Sequence, residues 1–420
     1  MKDKLLERIK QHPRLVVAQD FEVVCQKWNI KRAQHENGRL GVESQEEAWW
    51  VQLRVIHRNQ PGIATASVLS EGTVDRLVHD ALMCAEQSHP DPWFRFPLWS
   101  GKSSITNGDR QGPPPGFWDS SHSAIRDPSL RFLEKYEWWE LETDIYRRSE
   151  KLSKNDWVGA AHQNWVLDKV QEGSWGVCNR SERLMNLQAA AQLLTMAADE
   201  IKSWEEPPVF SMSGRALAPI LQHMGNWFSG ARVREKRGPL QMEDLNTQVF
   251  SSVLKLADDF RAVQTPFGMA FDLDGIAAQK TPLVEAGMLR AFLYDAYSGG
   301  MENCRSTGNS LRLPNEQEPK LRFKTLSVEP GAQSPQQVWA NEGRGIWIEG
   351  WTTLEFLNDT KIQASGYGWL MDRGDKIKPI RFSGARWDLM QLWKNLYAVG
   401  SDSVPFGWVV SPTLFFRGFL

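Results

Sequence analysis

Hydrophobic and polar residues alternate in two different periods along the N-terminal part of the chain. Residues 49–56 alternate with a period of two, which predicts a strand with one buried face. Asn37 and Gly38 stand between two β-prone runs and predict a hairpin turn. Residues 74–85 carry apolar side chains at the spacing of one helix face. This part of the chain therefore predicts a sheet covered by helices, an α+β arrangement.

After residue 240 the pattern indicates mostly strands. Further strands are predicted at 21–24, 63–66, 165–167, 175–177, 209–210, 283–294 (as a hairpin), 345–348, 361–364, 367–371 and 377–382. Further helices are predicted at 4–10, 130–151, 184–204, 216–228 and 387–397. Ser213 can cap the helix at 216–228. Segment 93–128 is rich in Pro, Gly, Ser and Trp, which predicts an excursion over the surface. We place a domain boundary near Pro207, between an α+β domain at 1–206 and a β-rich domain at 207–420.

The composition is that of a globular protein, with 41% hydrophobic and 24% charged residues in a chain of 420. A formal net charge of −2 provides no field that would attract nucleic acid or an anionic membrane. The N-terminus lacks the apolar centre of a signal peptide, and no apolar run reaches about 18 residues, the length of a spanning helix. We expect a cytoplasmic protein whose four cysteines are free thiols, namely Cys25, Cys84, Cys178 and Cys304.

Sequence motifs of well-known catalytic sites are absent from the chain. The eight histidines include no pair at the spacing that places two ligands on one helix face. Neither a nucleophile elbow nor a phosphate-binding glycine loop occurs. His223 lies among apolar neighbours in the predicted helix 216–228, either as a core or interface residue or as a ligand. The candidate carboxylate pairs, whose contexts also suit turns and the surface, are Asp258 with Asp259 and Asp272 with Asp274.

The most informative stretch of the sequence runs from residue 266 to 312. Two β-prone runs flank a short turn that contains Gly287 and predict a hairpin. The loop that follows offers two hydroxyls, a glycine and an amide, from Ser306, Thr307, Gly308 and Asn309. Such a loop either lets backbone N–H groups approach a ligand or another chain, or forms a tight turn that bonds its own backbone. The residues alone leave both interpretations open.

The order of these pieces resembles the TldD/PmbA family, whose members process peptides as paired TldD and TldE (PmbA) subunits. The resemblance is carried by the F-D-x-D-G segment at 271–275, the Glu-x-Gly hairpin, the Ser-Thr-Gly-Asn loop, the helix at 220–230 and the closing segments 366–379 and 387–401. It covers nearly the whole chain and is weakest over 93–205. It implies a two-domain α+β fold with an N-terminal sheet covered by helices and a mostly antiparallel β C-terminal domain.

The helix that contains His223 indicates the type of subunit. TldD subunits carry H-E-x-x-x-H at this place, which binds zinc with the Glu as general base, and a cysteine near the C-terminus completes their site. Here His223 has no adjacent glutamate and no second histidine, and residues 404–420 contain no cysteine. The resemblance therefore implies a TldE (PmbA)-type chain with no catalytic residues, metal or cofactor of its own, and with zinc in a TldD-type partner.

The function implied by the resemblance is that of a non-catalytic subunit in a peptide-processing heterodimer with a TldD-type metalloprotease. An extended peptide would enter between the subunits, with His223 and the loop Ser306–Asn309 near the shared cavity or the interface. One alternative is a homodimer that binds peptides without cleaving them. Another is a divergent hydrolase with Ser306 or Cys304 as nucleophile, although the sequence shows no base at a recognisable spacing to activate either.

Overall fold

The structure is a computed structural model that describes residues 2–68, 70–97, 118–119, 132–147, 150–156, 162–167, 170–175, 199–201, 209–259, 271–277, 279–313 and 316–418. Most of the segment 93–128 and of the predicted helix 184–204 lies outside these residues. The predicted domain boundary at Pro207 also lies outside them and stays a prediction.

The described helices are α1 (Lys2–Lys10), α2 (Glu71–Gln87), α3 (Gly214–Gly225), α4 (Gly230–Arg234), α5 (Ala296–Met301), α6 (Pro335–Asn341) and α7 (Leu389–Lys394). Short 3-10 turns lie at Pro13–Val17, Asn226–Phe228 and Met242–Asp244. In the part of the chain that the structure describes, no helix combines the length and the apolar character needed to cross a membrane.

The described strands follow the same chain order. They are β1 (Asp20–Glu36), β2 (Arg39–His57), β3 (Gln60–Ala66), β4 (Phe132–Arg147), β5 (Glu150–Asp156), β6 (His162–Leu167), β7 (Val170–Trp175), β8 (Asp199–Ile201), β9 (Val209–Met212), β10 (Leu256–Asp259), β11 (Lys280–Glu285), β12 (Met288–Leu289), β13 (Ser310–Leu311), β14 (Lys320–Leu321), β15 (Leu326–Val328), β16 (Arg344–Phe356), β17 (Lys361–Asp372), β18 (Asp375–Asp388), β19 (Leu396–Val399), β20 (Val404–Phe406), β21 (Val409–Ser411) and β22 (Leu414–Arg417).

The N-terminal strands form one antiparallel sheet in the order β3-β2-β1-β4-β6-β7, and β5 also pairs with β4. β1 and β2 are joined at Asn37 and Gly38, whose φ angles of 46° and 79° are those of the predicted hairpin turn. α1 and α2 cover one face of the sheet through a cluster of buried side chains that includes Leu6, Val55 and Val78. The predicted sheet covered by helices is therefore confirmed.

The helix predicted at 130–151 is wrong, because this stretch forms β4 and pairs with β1 along nearly its whole length. β4 is covered on both faces, since Tyr136 and Trp138 pack in one apolar cluster while Trp139 and Leu141 pack in another. Burial on two faces removes the period-two alternation of a strand. Apolar residues then fall at helical spacing by coincidence, although aromatic residues at this density favour a strand.

The C-terminal part contains two large sheets, ordered β12-β11-β10-β15-β21-β20 and β19-β22-β9-β16-β17-β18-β8. Most neighbouring strands are antiparallel, while β15 with β21, β9 with β16 and β8 with β18 are parallel. α3 contacts strands of both sheets and lies within one large apolar core. The prediction of a mostly antiparallel β-rich C-terminal part is confirmed.

Two predicted helices give way to strand pairing at their ends. α7 occupies only Leu389–Lys394 of the predicted helix 387–397, and β19 begins at Leu396, opposite Phe416 of β22. Likewise Asp199–Ile201, near the end of the predicted helix 184–204, forms β8 beside β18. In both places pairing with a distant strand overrides the local helix preference. Periodicity in the sequence does not indicate such long-range pairing.

Candidate functional site

Serine side chains cap the two helices around His223. Ser213 Oγ accepts a hydrogen bond from the N–H of Ala216, 3.2 Å away, and α3 begins there as the sequence predicts. After the 3-10 turn, Ser229 Oγ lies 3.4 Å from the N–H of Arg232 and caps α4. His223 lies in the last turn of α3, half-buried at the edge of the core.

Side chains from this region converge on the turn between β16 and β17. His223 Nε2 lies 3.0 Å from the main-chain oxygen of Asp359, and Trp227 Nε1 donates to the same oxygen at 3.0 Å. Arg232 Nη2 donates to both carboxylate oxygens of Asp359, at 3.0 and 2.9 Å. Phe356 stacks on the imidazole with ring centroids 4.1 Å apart. We call these five residues the histidine corner.

The donors at the histidine corner do not fit a catalytic zinc. Such a site needs three protein ligands and an open position. The corner offers one imidazole, and its Nε2 must carry a proton because it faces a carbonyl oxygen, which only accepts. A protonated ring nitrogen has no lone pair for a metal. Across the described ranges, no group of three His, Cys, Asp or Glu side chains could hold a metal ion.

The predicted loop Ser306–Asn309 bonds to itself and to Tyr294. The Thr307 N–H donates to the main-chain oxygen of Tyr294 at 2.9 Å, and Thr307 Oγ1 accepts from the Tyr294 N–H at 2.7 Å. Ser306 Oγ accepts from the N–H of Gly308 at 3.1 Å, and Gly308 has a φ of 80°. These contacts are those of a tight turn that satisfies its own polar groups.

Asn309 ends this loop inside a buried polar network that sequence reasoning missed. Its Nδ2 donates to Asp258 Oδ2 at 2.6 Å and to the main-chain oxygen of Arg322 at 2.7 Å. Asp258 Oδ1 also accepts from the N–H groups of Lys324 and Thr325, each at 2.8 Å. Burial raises the pKa of Asp258, and these hydrogen bonds oppose that shift. The network holds the loop against β10.

Asp272 is a second buried carboxylate beside the loop. Its Oδ1 accepts from two N–H groups of the turn that follows it, and its Oδ2 accepts from the Ser310 N–H at 3.0 Å. Burial, together with the charge of Asp274, raises the pKa of Asp272 to about 7, and the charge of Lys324 opposes this. Lys324 is fully buried, and its Nζ donates to the main-chain oxygen of Gly308 at 2.6 Å.

Asp274 belongs to an ion network that joins the N-terminal sheet to the C-terminal part. Arg54 Nη1 donates to Asp274 Oδ1 at 3.1 Å, and Arg147 Nη2 donates to the main-chain oxygen of Asp274 at 3.2 Å. Both arginines also pair with Glu22, which is fully buried on β1 between them. The carboxylates of Asp272 and Asp274 therefore bond to separate partners.

The structure connects the helix and the loop through two residues but does not bring His223 to the loop. The Leu293 N–H donates to the oxygen of Phe228 at 2.7 Å, and the Gly230 N–H donates to the oxygen of Leu293 at 2.9 Å. Tyr294 then bonds to the loop. Only glycine fits at Gly230, since an added Cβ would lie 2.1 Å from Cε1 of Tyr294.

The alternative nucleophiles, Cys304 and Ser306, lie next to main-chain oxygens. Cys304 is exposed, with its Sγ 3.4 Å from the main-chain oxygen of Glu302. Ser306 Oγ lies 3.2 Å from the oxygen of Tyr294. No histidine that the structure describes hydrogen-bonds to either side chain, so neither has the activated geometry of a nucleophile. Cys84 and Cys304 are free thiols as predicted, and Cys178 lies outside the described residues.

Comparison with known proteins finds relatives that match most of the chain. The family model described as the PmbA/TldA metallopeptidase C-terminal domain matches residues 210–420, half of the chain. This chain belongs to the PmbA/TldD family. A metalloprotease of Methanocaldococcus jannaschii is 26% identical over 383 residues, which cover 84% of this chain and 83% of that protein. A metalloprotease PmbA homolog of Haemophilus influenzae is 22% identical, over 83% of this chain and 80% of that protein.

The fold comparison agrees with the family assignment. The crystal structure of TldE from Thermococcus kodakarensis superposes with a TM-score of 0.80 and covers 99% of both chains, at 17% sequence identity. The fold expected from the resemblance to the TldD/PmbA family is therefore confirmed.

Proposed function

We propose that this chain is a non-catalytic, TldE/PmbA-like subunit that pairs with a TldD-type zinc metalloprotease in a peptide-processing heterodimer. The family assignment supports a role in proteolysis, because relatives along most of the chain are named metalloproteases. The fold shared with TldE supports the subunit type. The zinc and the general base would belong to the partner, while this chain would help to enclose the peptide.

The observation that carries this proposal is the histidine corner. His223 lies where the family's zinc-binding helix is expected. Its Nε2–H donates a hydrogen bond to the main-chain oxygen of Asp359, and its ring stacks on Phe356. Trp227 and Arg232 hold the same turn in place. These contacts suit a rigid wall, and they support a chain that leaves the metal to its partner.

In this proposal the peptide is held in an extended form, partly by main-chain pairing between the subunits. The ion network of Glu22, Arg54, Arg147 and Asp274 keeps the N-terminal sheet fixed against the C-terminal part. A wall fixed in this way would exclude folded proteins and admit unfolded or leader peptides. His223 and the loop Ser306–Asn309 would lie near the shared cavity or the interface.

The test compares this chain, a TldD-type chain from the same genome, and a mixture of the two. We expect no stoichiometric zinc in this chain alone and no cleavage of an unstructured peptide by it. The mixture should elute as one heterodimer, contain zinc and cleave the peptide. Stoichiometric zinc or hydrolysis in this chain alone would contradict the proposal. A stable homodimer that binds the peptide and ignores the partner would favour the alternative of a self-paired binding protein.

A further inference from the structure

The face of the N-terminal sheet that is turned away from α1 and α2 carries a buried polar band between two apolar rows. Gln26 lies opposite Trp50 on β2 and Thr143 on β4, so these three residues form one row across the sheet. Gln52 lies two residues from Trp50 along β2 and therefore points to the same face. Gln26, Gln52 and Thr143 are at most 2% exposed.

Apolar side chains close this band on both sides. Val24 and Ile145, which share a row with Gln52, pack against Phe271 and Leu273 of the C-terminal part. In the row after the band, Trp28 and Leu141 pack with Leu313 and Trp408. The polar row is thus enclosed between the N-terminal sheet and the C-terminal part.

Arg312 enters the band from the C-terminal part. Its guanidinium stacks on the ring of Trp50, 4.4 Å from the centroid, and the residue is 3% exposed. Nη1 donates to the main-chain oxygen of Leu313 at 2.9 Å, while the buried Nε has no partner. Burial lowers the pKa of Arg312 to about 10, against the charge of Glu316, which itself pairs with Arg322.

No carboxylate within the described ranges forms an ion pair with Arg312. This distinguishes Arg312 from the two arginines on the same face of the N-terminal sheet. Two rows away, Arg54 and Arg147 are less deeply buried than Arg312, and yet both pair with Glu22. A guanidinium carries five N–H donors and is costly to bury without an anion. The amide oxygens of Gln26 and Gln52 and the hydroxyl of Thr143 are also buried without a hydrogen-bond partner. Water could satisfy the amides and the hydroxyl, but it would not neutralise the charge.

We propose that this glutamine–arginine band, formed by Arg312, Gln26, Gln52 and Thr143, binds a carboxylate group of a peptide. A carboxylate matches the planar fork of a guanidinium and can accept from the amide N–H groups of the two glutamines and from the Thr143 hydroxyl. The two amide oxygens only accept, and they would bond to N–H groups of the peptide. The carboxylate comes either from the C-terminus of the peptide or from an Asp or Glu side chain. The idea rests on the proposed function only in taking the ligand to be a peptide.

The first experiment measures peptide binding to this chain alone by calorimetry, with three acetylated pentaalanine-based probes. One has a free C-terminus, one is amidated, and one is amidated with Asp at its third position. We expect the first, the third or both to bind at least about 10-fold more tightly than the amidated probe, as expected for a charge-assisted bidentate contact. Which of the two binds identifies the source of the carboxylate. Equal binding of all three probes, or binding of none, would overturn the proposal.

The variant Arg312→Gln should reduce this preference to less than about 2-fold, because the charge and the fork are lost. Arg312→Lys should retain only part of it. The matched control is Arg290→Gln, which removes a partly exposed arginine that pairs with Glu285 and should leave the preference unchanged. Preference retained in Arg312→Gln would overturn the assignment.

A stability measurement separates binding from a structural role. Without peptide, Arg312→Met should melt no lower than the wild-type chain, because it replaces an unpaired buried charge by an apolar side chain of similar length. A fall in Tm of more than about 4 °C would mean that Arg312 already stabilises the folded chain through contacts of its own, which would overturn the proposal.

The heterodimer test and the binding test can fail independently. If the pair cleaves peptides with no dependence on Arg312, and the chain alone shows no preference for carboxylates, the band fails while the proposed function stands. If the chain binds carboxylate probes through Arg312 but no partner gains activity, the proposed function fails while the site stands.

Discussion

The histidine corner and the glutamine–arginine band each contain an arginine, but the two sites differ in how their polar side chains are hydrogen-bonded. In the corner, His223, Trp227 and Arg232 all direct their hydrogen bonds to Asp359. In the band, Arg312 and the groups around it are more deeply buried and yet lack such partners. The corner has the features of a structural contact, whereas the band has the features of a ligand-binding site.

This difference shows how position in a family motif and chemical role can separate. The motif points to the helix of His223, where the imidazole bonds to the main chain of Asp359 and stacks on Phe356. Buried polar groups are nearly always hydrogen-bonded, so a cluster without partners is more informative than a single histidine at a motif position.

The largest effect is expected from Asp258→Ala, which removes the carboxylate beneath the segment that leads to Arg312. The change leaves the N–H groups of Lys324 and Thr325 and the amide of Asn309 without an acceptor in a buried place. We expect a loss of about 3–5 kcal/mol in the free energy of unfolding, measured with urea. The control Asp375→Ala, at an exposed turn, should change stability by less than about 0.5 kcal/mol. A small effect of Asp258→Ala would show that the network does not support the band.

The next largest effect is expected at Gly230, in the segment that separates the corner from the loop. In Gly230→Ala the added Cβ would lie 2.1 Å from the ring of Tyr294, so the ring must move, at a cost of about 2–3 kcal/mol. The matched control is Gly72→Ala in α2, where no atom lies within 4 Å of the new Cβ. That change should stabilise the protein by about 0.5 kcal/mol, since alanine favours helix. If urea unfolding showed that Gly230→Ala and Gly72→Ala change the free energy of unfolding in the same direction, the close contact at Gly230 would be contradicted.

The pH dependence of stability should reveal Asp272. Its pKa in the folded chain is raised to about 7 by burial and by Asp274, whereas the unfolded value is about 4. Folding therefore takes up a proton, and the stability that Asp272 contributes is complete below pH about 4 and is lost as the pH rises through about 7. Relative to Asp272→Asn, the wild-type chain should lose about 2 kcal/mol between pH 5 and pH 7. If the free energies of unfolding of the wild-type chain and of Asp272→Asn changed with pH in parallel, Asp272 would stay ionised beside Lys324.

The smallest effect is expected at the corner. His223→Ala removes one of two hydrogen bonds to the oxygen of Asp359 and the stack on Phe356, which should cost about 1–2 kcal/mol. His223→Gln keeps an N–H donor and should cost about half as much. A gain in stability from His223→Ala would mean that the imidazole is held there against its own preference, as in a functional site.

The sequence was enough to predict the covered N-terminal sheet, the β-rich C-terminal part and the helix of His223. These rest on local signals such as the turn at Asn37 and Gly38 and the cap at Ser213. β4 was missed because both its faces are buried, which removes alternation. The band was missed because its residues are far apart in sequence. Strand register brings Gln26 and Thr143 together, and Arg312 joins them by packing on Trp50.

The central claim is that hydrolysis belongs to the partner and not to the histidine corner. The most direct test measures zinc content and peptide cleavage in two heterodimers, one with His223→Ala in this chain and one with a metal-binding histidine of the partner's helix changed to alanine. We predict that the first retains its zinc and cleaves within about threefold of the wild-type pair, an effect of less than about 1 kcal/mol. The second should lose both. Loss of zinc and cleavage in the His223→Ala pair would contradict the account.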